Sequence, residues 1–325
     1  MPLKRRFKMK SVLKSVGKVA LASLCSILAL IMIAWAGLNI AKLMIYQDYY
    51  QNKTDIVAIP GLDDDFICQG ICVAEEQGKL LVCGYMTDDT NSRIYVTDEN
   101  NDSYYVSLTR NGQSYKGHAG GIALSGDTLL ISNGSKLYTF PLSSVLSASD
   151  GDSVDIGGGT SVNNSASFVF ADEEYVYVGE FHDGDQYVKD HPYTTPEGTN
   201  HAIVTCYSAD NLVSPVRVYS IPDKVQGMCL TDDGKIVFST SYGLADTVYL
   251  IYSINDAYDS GETLDGTPVY YFSPCEMEIH GPAMGEDMDF SEGKIITLSE
   301  NATKKYLFGK FFFGGQIVAL DFSGK

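Results

Sequence analysis

Two segments of this chain say nearly the same thing. Residues 69–83 read QGICVAEEQGKLLVC, and residues 226–239 read QGMCLTDDGKIVFS. Each is an apolar strand, a tight acidic turn with Gly and a second apolar strand. Fainter copies lie between and after them: GGIALSGDTLLIS at 120–132, SASFVFADEEYVYVG at 165–179 and GEDMDFSEGKIITLS at 285–299. Five β-hairpins at fairly regular spacing predict an all-β, five-bladed β-propeller of four-stranded antiparallel blades. Strands are named A to D from the channel outward.

Blade one is expected at 70–75, 79–85, 92–97 and 103–109. Blade two follows at 120–125, 128–132, 136–140 and 153–157. Blade three takes 166–171, 175–180, 202–207 and 215–221. Blade four takes 226–231, 235–240, 247–252 and 268–272. Blade five, at 286–290, 294–299 and 315–322, ends one strand short. TDIVAIP at 54–60 is expected to supply that strand and so remove an exposed sheet edge.

The extra length is uneven. The A–B turns are minimal, whereas the long segments are the B–C loops 181–201 and 300–314 and the D–A loops 110–119 and 273–285. These two loop classes share one face of a propeller, and long loops on a rigid scaffold are where binding residues concentrate.

Ahead of the hairpins the chain changes character. Seven of the 23 Lys and Arg fall in residues 1–18, and Val19–Ile40 is a nearly unbroken apolar run of 22 residues. At about 1.5 Å per residue this run crosses a hydrocarbon core of about 30 Å. Basic residues on its N-terminal side hold that side in the cytoplasm. The expected organisation is a cytoplasmic basic segment (1–18), a transmembrane signal anchor (19–42), a stalk (43–53) and a propeller (54–325). That makes a single-pass protein of the cell membrane with its C-terminal domain extracytoplasmic. A cleaved signal peptide competes, because Ala34-Trp35-Ala36 resembles a cleavage site.

Residues 43–325 carry all 41 acids but only 15 Lys and Arg, a balance of −26. Such a surface argues against nucleic acid and anionic lipid as partners of this part. The partners expected are the membrane, through the N-terminal helix, and an extracytoplasmic glycan or protein. Six cysteines follow the apolar run. Most are expected as free thiols, with Cys68–Cys275 the best placed for a bridge because blades one and five adjoin.

All five histidines map to the expected long loops: His118, His182, His191, His201 and His280. Their spacing matches no metal signature, so neither a metal site nor a cofactor is assigned. Asp63-Asp64-Asp65 and the acidic run at 98–102 match no calcium-loop pattern and read as turns. In KKYLFGKFFFGG at 304–315 the rings are expected to pack against the blades with Lys304, Lys305 and Lys310 in water.

Several further phrases carry a resemblance. HAGGIA at 118–123, then LLISNGSKLYTF, VQGMCLTDDGKIVFSTSYG at 225–243, PAMGED at 282–287 and ENATKKY at 300–306 together resemble a family of uncharacterised exported bacterial β-propeller-like proteins. The resemblance spans most of residues 66–322. It implies fold and export, assigns no reaction, and points to His118, Gln226, Tyr242, Glu286, Glu300, Lys305 and Tyr306 as motif residues.

Position leads to a similar group. His118, Gln226, Tyr242, Glu286, Glu300 and Lys305 each start an A strand, follow a B strand or lie in a long loop. They are expected to converge at one channel mouth, with Lys305 paired to Glu286 or Glu300. Two functions fit: a ligand- or partner-binding module, or a hydrolase or lyase acting on a glycan or lactone through Glu180, Glu286 or Glu300.

Overall fold

The computed structural model describes residues 2–184, 189–312 and 314–322. The chain forms two compact units, Met1–Tyr50 and Gln51–Lys325. A short helix, Gln47–Asn52, begins in the first unit and ends in the second; within the first, one helix runs from Pro2 to Ile45. Its stretch Val16–Ile45, with a mean hydropathy of 2.4, is long and apolar enough to cross a membrane. Two of its polar side chains bond within the helix: Ser26 Oγ donates to the Ala22 carbonyl and Asn39 Nδ2 to that of Trp35.

The second unit is a five-bladed propeller. The five A strands are Phe66–Ala74, Gly121–Ser125, Phe168–Ala171, Val225–Leu230 and Gly285–Ser291. Each packs against the next, and the fifth returns to the first. Ring closure follows the expected route. Lys53–Ala58 pairs antiparallel with Gln316–Leu320 and completes blade five from the other end of the chain.

Burial explains the composition of the strands. Inner strands are covered on both faces by neighbouring blades, so strand A of blade one is buried along almost its whole length. Outer strands alternate: Asn211–Ile221, strand D of blade three, is largely exposed at its start. The core lies in layers between blades. Leu81, Ile94 and Val106 of blade one pack with Ile122, Leu129 and Ile131 of blade two. On the other side Val82 and Tyr95 meet Leu298 and Ile317 of blade five.

The glycines of the repeated phrase exist for close approach. A Cβ on Gly70 would lie 2.7 Å from Ile122 N, one on Gly121 2.6 Å from Val169 N, and one on Gly227 2.5 Å from Asp287 Cα. Five A strands crowd one axis, and in three of them a missing side chain lets the backbone meet its neighbour.

Two strands lie elsewhere than expected. Residues 153–155 do not close blade two; they run parallel to strand D of blade one, with Ser153 opposite Ser107. Blade two closes instead with Thr160–Ser161. Thr267–Phe272 does not close blade four either. It pairs with Ala257–Leu264 and lies parallel to strand D of blade three, Val218 opposite Val269. Strand D of blade four is Met277–Gly281, inside the segment read as a D–A loop, so His280 sits in a strand near Asp246. In each case a strand in the C–D connection of one blade has paired with the open edge of the blade before it.

All the cysteines are free. Cys68 and Cys275 do not bridge: the Cys68 thiol donates to the Ser299 carbonyl, whereas Cys275 contacts Ile251 and Met277. The acidic segments are turns, with Asp98 accepting from the N–H groups of Asn100 and Asp102. The aromatic loop departs from expectation. Leu307, Phe308 and Phe311 are exposed, and the two Phe rings stack at 6.4 Å.

Candidate functional site

A cavity of about 750 Å³ opens on the long-loop face. Its inner wall has a simple origin. Gln69, Gly120, Ser167, Gln226 and Glu286 occupy equivalent places, each one residue before the position where the A strands come closest, and all five line the cavity. Every blade therefore contributes one residue at this level. The next residue inward is Gly70, Gly121, Phe168, Gly227 or Asp287.

The loops add the rest. His118, Gln226, Tyr242, Glu286, Glu300 and Lys305 all line this one cavity. Tyr85, Asn133, Phe181 and Tyr306 join them. Of these, Tyr85, Asn133 and Phe181 escaped the sequence reading. Tyr85 is the last residue but one of strand B of blade one, Lys79–Met86, much as Tyr242 closely follows strand B of blade four, and that parallel was the available signal.

Glu286 and Glu300 form a hydrogen-bonded carboxyl pair. Burial pushes Glu286 far above the usual carboxylate range, and the charges of Glu300 and Asp287 push it further. The hydrogen bond between the two raises Glu286 and lowers Glu300. Burial raises Glu300 too, but Tyr306, Lys305 and Gln69 oppose that rise. The Gln69 amide donates to Glu300 Oε2 at 3.1 Å. Two carboxyls in one low-dielectric pocket cannot both ionise cheaply, so they share a proton.

Lys305 does not pair with either glutamate within ion-pair distance among the described residues. Its Nζ donates to the Tyr85 hydroxyl and lies 5.2 Å from the Tyr85 ring centre and 5.0 Å from that of Tyr306. Two ring faces and a phenol hold the ammonium beside the carboxyl pair rather than on it. The His118 ring stacks on Tyr85 with centroids 4.5 Å apart. Although this ring opens on the cavity, desolvation by the walls, aided by Lys305, pushes it down to about 4, so it is a neutral imidazole at pH 7. Its backbone N–H donates to Asn133 Oδ1.

Glu180 stands apart from this cavity. Its carboxylate is buried, accepts the Ser165 N–H and meets His191 Nδ1 at 2.8 Å. It is not among the residues that line the cavity with Glu286 and Glu300. Asp287, one residue deeper than Glu286, is fully buried, and neither oxygen closes a well-formed hydrogen bond among the described residues. Burial raises it well above the normal range; backbone N–H groups of Met288, Ile122 and Ile71 oppose the shift without cancelling it.

No family model matches the chain, and no curated protein does. Several solved structures are similar at low identity. A PQQ-bound aldose sugar dehydrogenase from Streptomyces coelicolor is 14% identical, with a TM-score of 0.43 over 76% of each chain. A structural genomics protein of unknown function from Bacteroides thetaiotaomicron is 13% identical, with a TM-score of 0.38 over 83% of this chain and 75% of that one. Kuenenia stuttgartiensis hydrazine synthase is 10% identical, with a TM-score of 0.40 over 73% of this chain. The matched part is 57% of that longer chain.

Proposed function

We propose that this protein is a membrane-anchored propeller whose long-loop mouth binds an extracytoplasmic ligand of glycan type. One observation carries the reading. The cavity has the size of a small-ligand site and combines ring faces (Tyr85, Tyr242, Tyr306) with amides (Gln69, Gln226) and a protonated acid (Glu286). Hydroxyl-rich, uncharged ligands suit such walls: sugar rings stack on aromatic faces while their hydroxyls exchange hydrogen bonds with amides and carboxyls. Residues 1–18 lie in the cytoplasm, 19–42 cross the membrane, 43–53 form the stalk and 54–325 lie outside. The basic N-terminal segment and the apolar helix support this orientation. Protease added to intact cells is expected to remove the propeller and leave the first 40 or so residues in the membrane. A mature N-terminus at Gly37 would replace the anchor with a cleaved signal peptide.

A second reading rests on the carboxyl pair. A glutamic acid held protonated beside an ionised glutamate is an acid and a base side by side, as hydrolysis or elimination at a glycan or lactone requires. The full chain, solubilised in detergent, is to be read on a glycan array and on chromogenic glycosides and lactones. Binding without turnover, weakened at least about tenfold by Gln226→Ala, is the outcome expected of the binding module. Turnover abolished by Glu286→Gln with the fold intact would establish the enzyme instead.

A further inference from the structure

Blade three carries a second group of potential ligands, apart from the carboxyl pair. Its B–C loop holds three of the five histidines. One nitrogen each of His182 and His201 and one oxygen of Asp190 lie within 4.8 Å of one another. The two imidazoles stack face to face, with centroids 5.2 Å apart and planes 15° from parallel. His201 Nδ1 already meets Asp190 Oδ1 at 2.8 Å.

The backbone holds these groups from independent directions. The His182 carbonyl accepts the Lys224 N–H, and the His201 carbonyl accepts the His191 N–H. Asp223 braces both histidines. Its Oδ1 accepts the His201 backbone N–H at 3.1 Å and stands 3.3 Å from His182 Nδ1. A carboxylate beside the rings that supply the ligands is the usual outer support of a metal-bound histidine.

A further observation points to a ligand. His182 is buried, yet among the described residues its Nδ1 makes no hydrogen bond: Asp223 is near, at 3.3 Å, but the geometry does not close. A buried ring nitrogen without a partner is unfavourable unless something else satisfies it. A metal ion bound by the ring would do so, either at that nitrogen or by turning the ring until Nδ1–H faces Asp223.

We propose that His182, His201 and Asp190 bind one borderline divalent transition-metal ion, with water in the remaining position and Asp223 as the outer support. Two imidazoles and one carboxylate suit Zn²⁺ and its neighbours, whereas Ca²⁺ and Mg²⁺ take oxygen ligands. Bonds of about 2.1 Å put donor atoms about 3.4 Å apart around a tetrahedral ion. From a spacing of up to 4.8 Å the cluster needs to close by up to about 1.4 Å, and Asp190, exposed and on a loop, reaches the ion by trading its contact with His201 Nδ1 for the metal. The acidic domain raises the local concentration of any cation. Phe181 and Asp183, which flank His182, line the mouth cavity, so the ion would tie one wall of that mouth to strand C.

The test uses the full chain in detergent, stripped with a chelator and dialysed against Zn²⁺ alone. One Zn²⁺ per chain is expected above the surface background. His201→Asn and Asp190→Asn should each weaken it by at least about 100-fold, and Asp223→Asn by about 10- to 100-fold. Both altered ligands are partly exposed, so the fold should survive their replacement. Co²⁺ should give the intense visible band of a four-coordinate site. Zn²⁺ should also slow tryptic cleavage after Lys189, beside Asp190, in the natural chain and not in His201→Asn. Equal Zn²⁺ binding by the natural chain and His201→Asn would overturn the proposal. So would Ca²⁺ competing as well as Co²⁺. None of these readouts depends on a ligand in the mouth, so failure here leaves the binding function untouched.

Discussion

The propeller has a cavity on each face, and the same A strands feed both. The long-loop cavity mixes amides, rings, a lysine and two glutamates. The turn-face cavity, about 610 Å³, is lined by Glu75, Glu76, Asp127, Asp172, Glu173 and Asp289, with no Lys or Arg among its described lining. The second is richer in carboxyls, yet the first has the chemistry. On the turn face the acids stand on tight turns of separate blades, mostly in water, which screens each from the rest. On the loop face, strand A of blade five buries Glu286, and the loop after strand B brings Glu300 against it. Enclosure, not the number of acids, makes a pair that shares a proton.

The comparison can be broken most severely at its common floor. Gly227→Val puts a branched side chain where even a Cβ meets Asp287 Cα at 2.5 Å. A loss of about 3 kcal/mol is expected in denaturant unfolding, because backbone rather than a flexible side chain must move. Wild-type stability would mean that the A strands are not so closely packed.

A smaller effect is expected at the floor of the turn face. Asp289 accepts the N–H groups of Val73 and Phe290, but burial still pushes it up to about 6. The folded chain thus holds this proton more tightly than the unfolded one. The resulting stability is present below about pH 4 and is lost as pH rises through about 6. The loss amounts to about 2 kcal/mol, less than the full shift implies because the group opens on the cavity. Subtracting the Asp289→Asn curve from the natural one should isolate it. A difference that grows toward alkaline pH in favour of the natural chain would reverse the sign.

The turns themselves set the next scale. Gly126 has φ +55, and a Cβ added there would meet nothing within 4 Å, so conformation alone constrains it. Gly126→Ala should cost about 1 kcal/mol, well short of Gly227→Val. Equal losses would erase the distinction between a turn glycine and a packing glycine.

The smallest effect sharpens the electrostatics of the loop face. Lys305→Ala removes the lesser of two causes that depress His118. The imidazole should rise from about 4 by less than about one pH unit and stay well below 6.5, as NMR titration would read. A return to 6.5 would make the lysine, not the enclosing wall, the dominant cause.

Much of this was legible along the chain. The repeated Gln-Gly phrase named the A–B hairpins, and the acidic Gly turns between its strands bounded them. The missing last strand foretold the closure by Lys53–Ala58. The six mouth residues converge because hairpin order and loop length alone decide which face a residue joins. The errors share a cause. Residues 153–155 and Thr267–Phe272 have strand character, but strand character does not name a partner edge. The expected ion pair of Lys305 failed for a related reason: three ionisable groups can pair in several ways, and the glutamates pair with each other while Lys305 lies against the rings of Tyr85 and Tyr306.

Local periodicity and the order of elements along the chain were enough for the blade number, the closure and the face that carries the long loops. Folding in three dimensions was needed for the rest: which edges received the extra strands, that Glu286 and Glu300 form a buried pair, that Glu180 turns toward His191, and that His182, Asp190 and His201 gather. Those outcomes depend on distance and burial between residues far apart in the chain, and no local pattern records either.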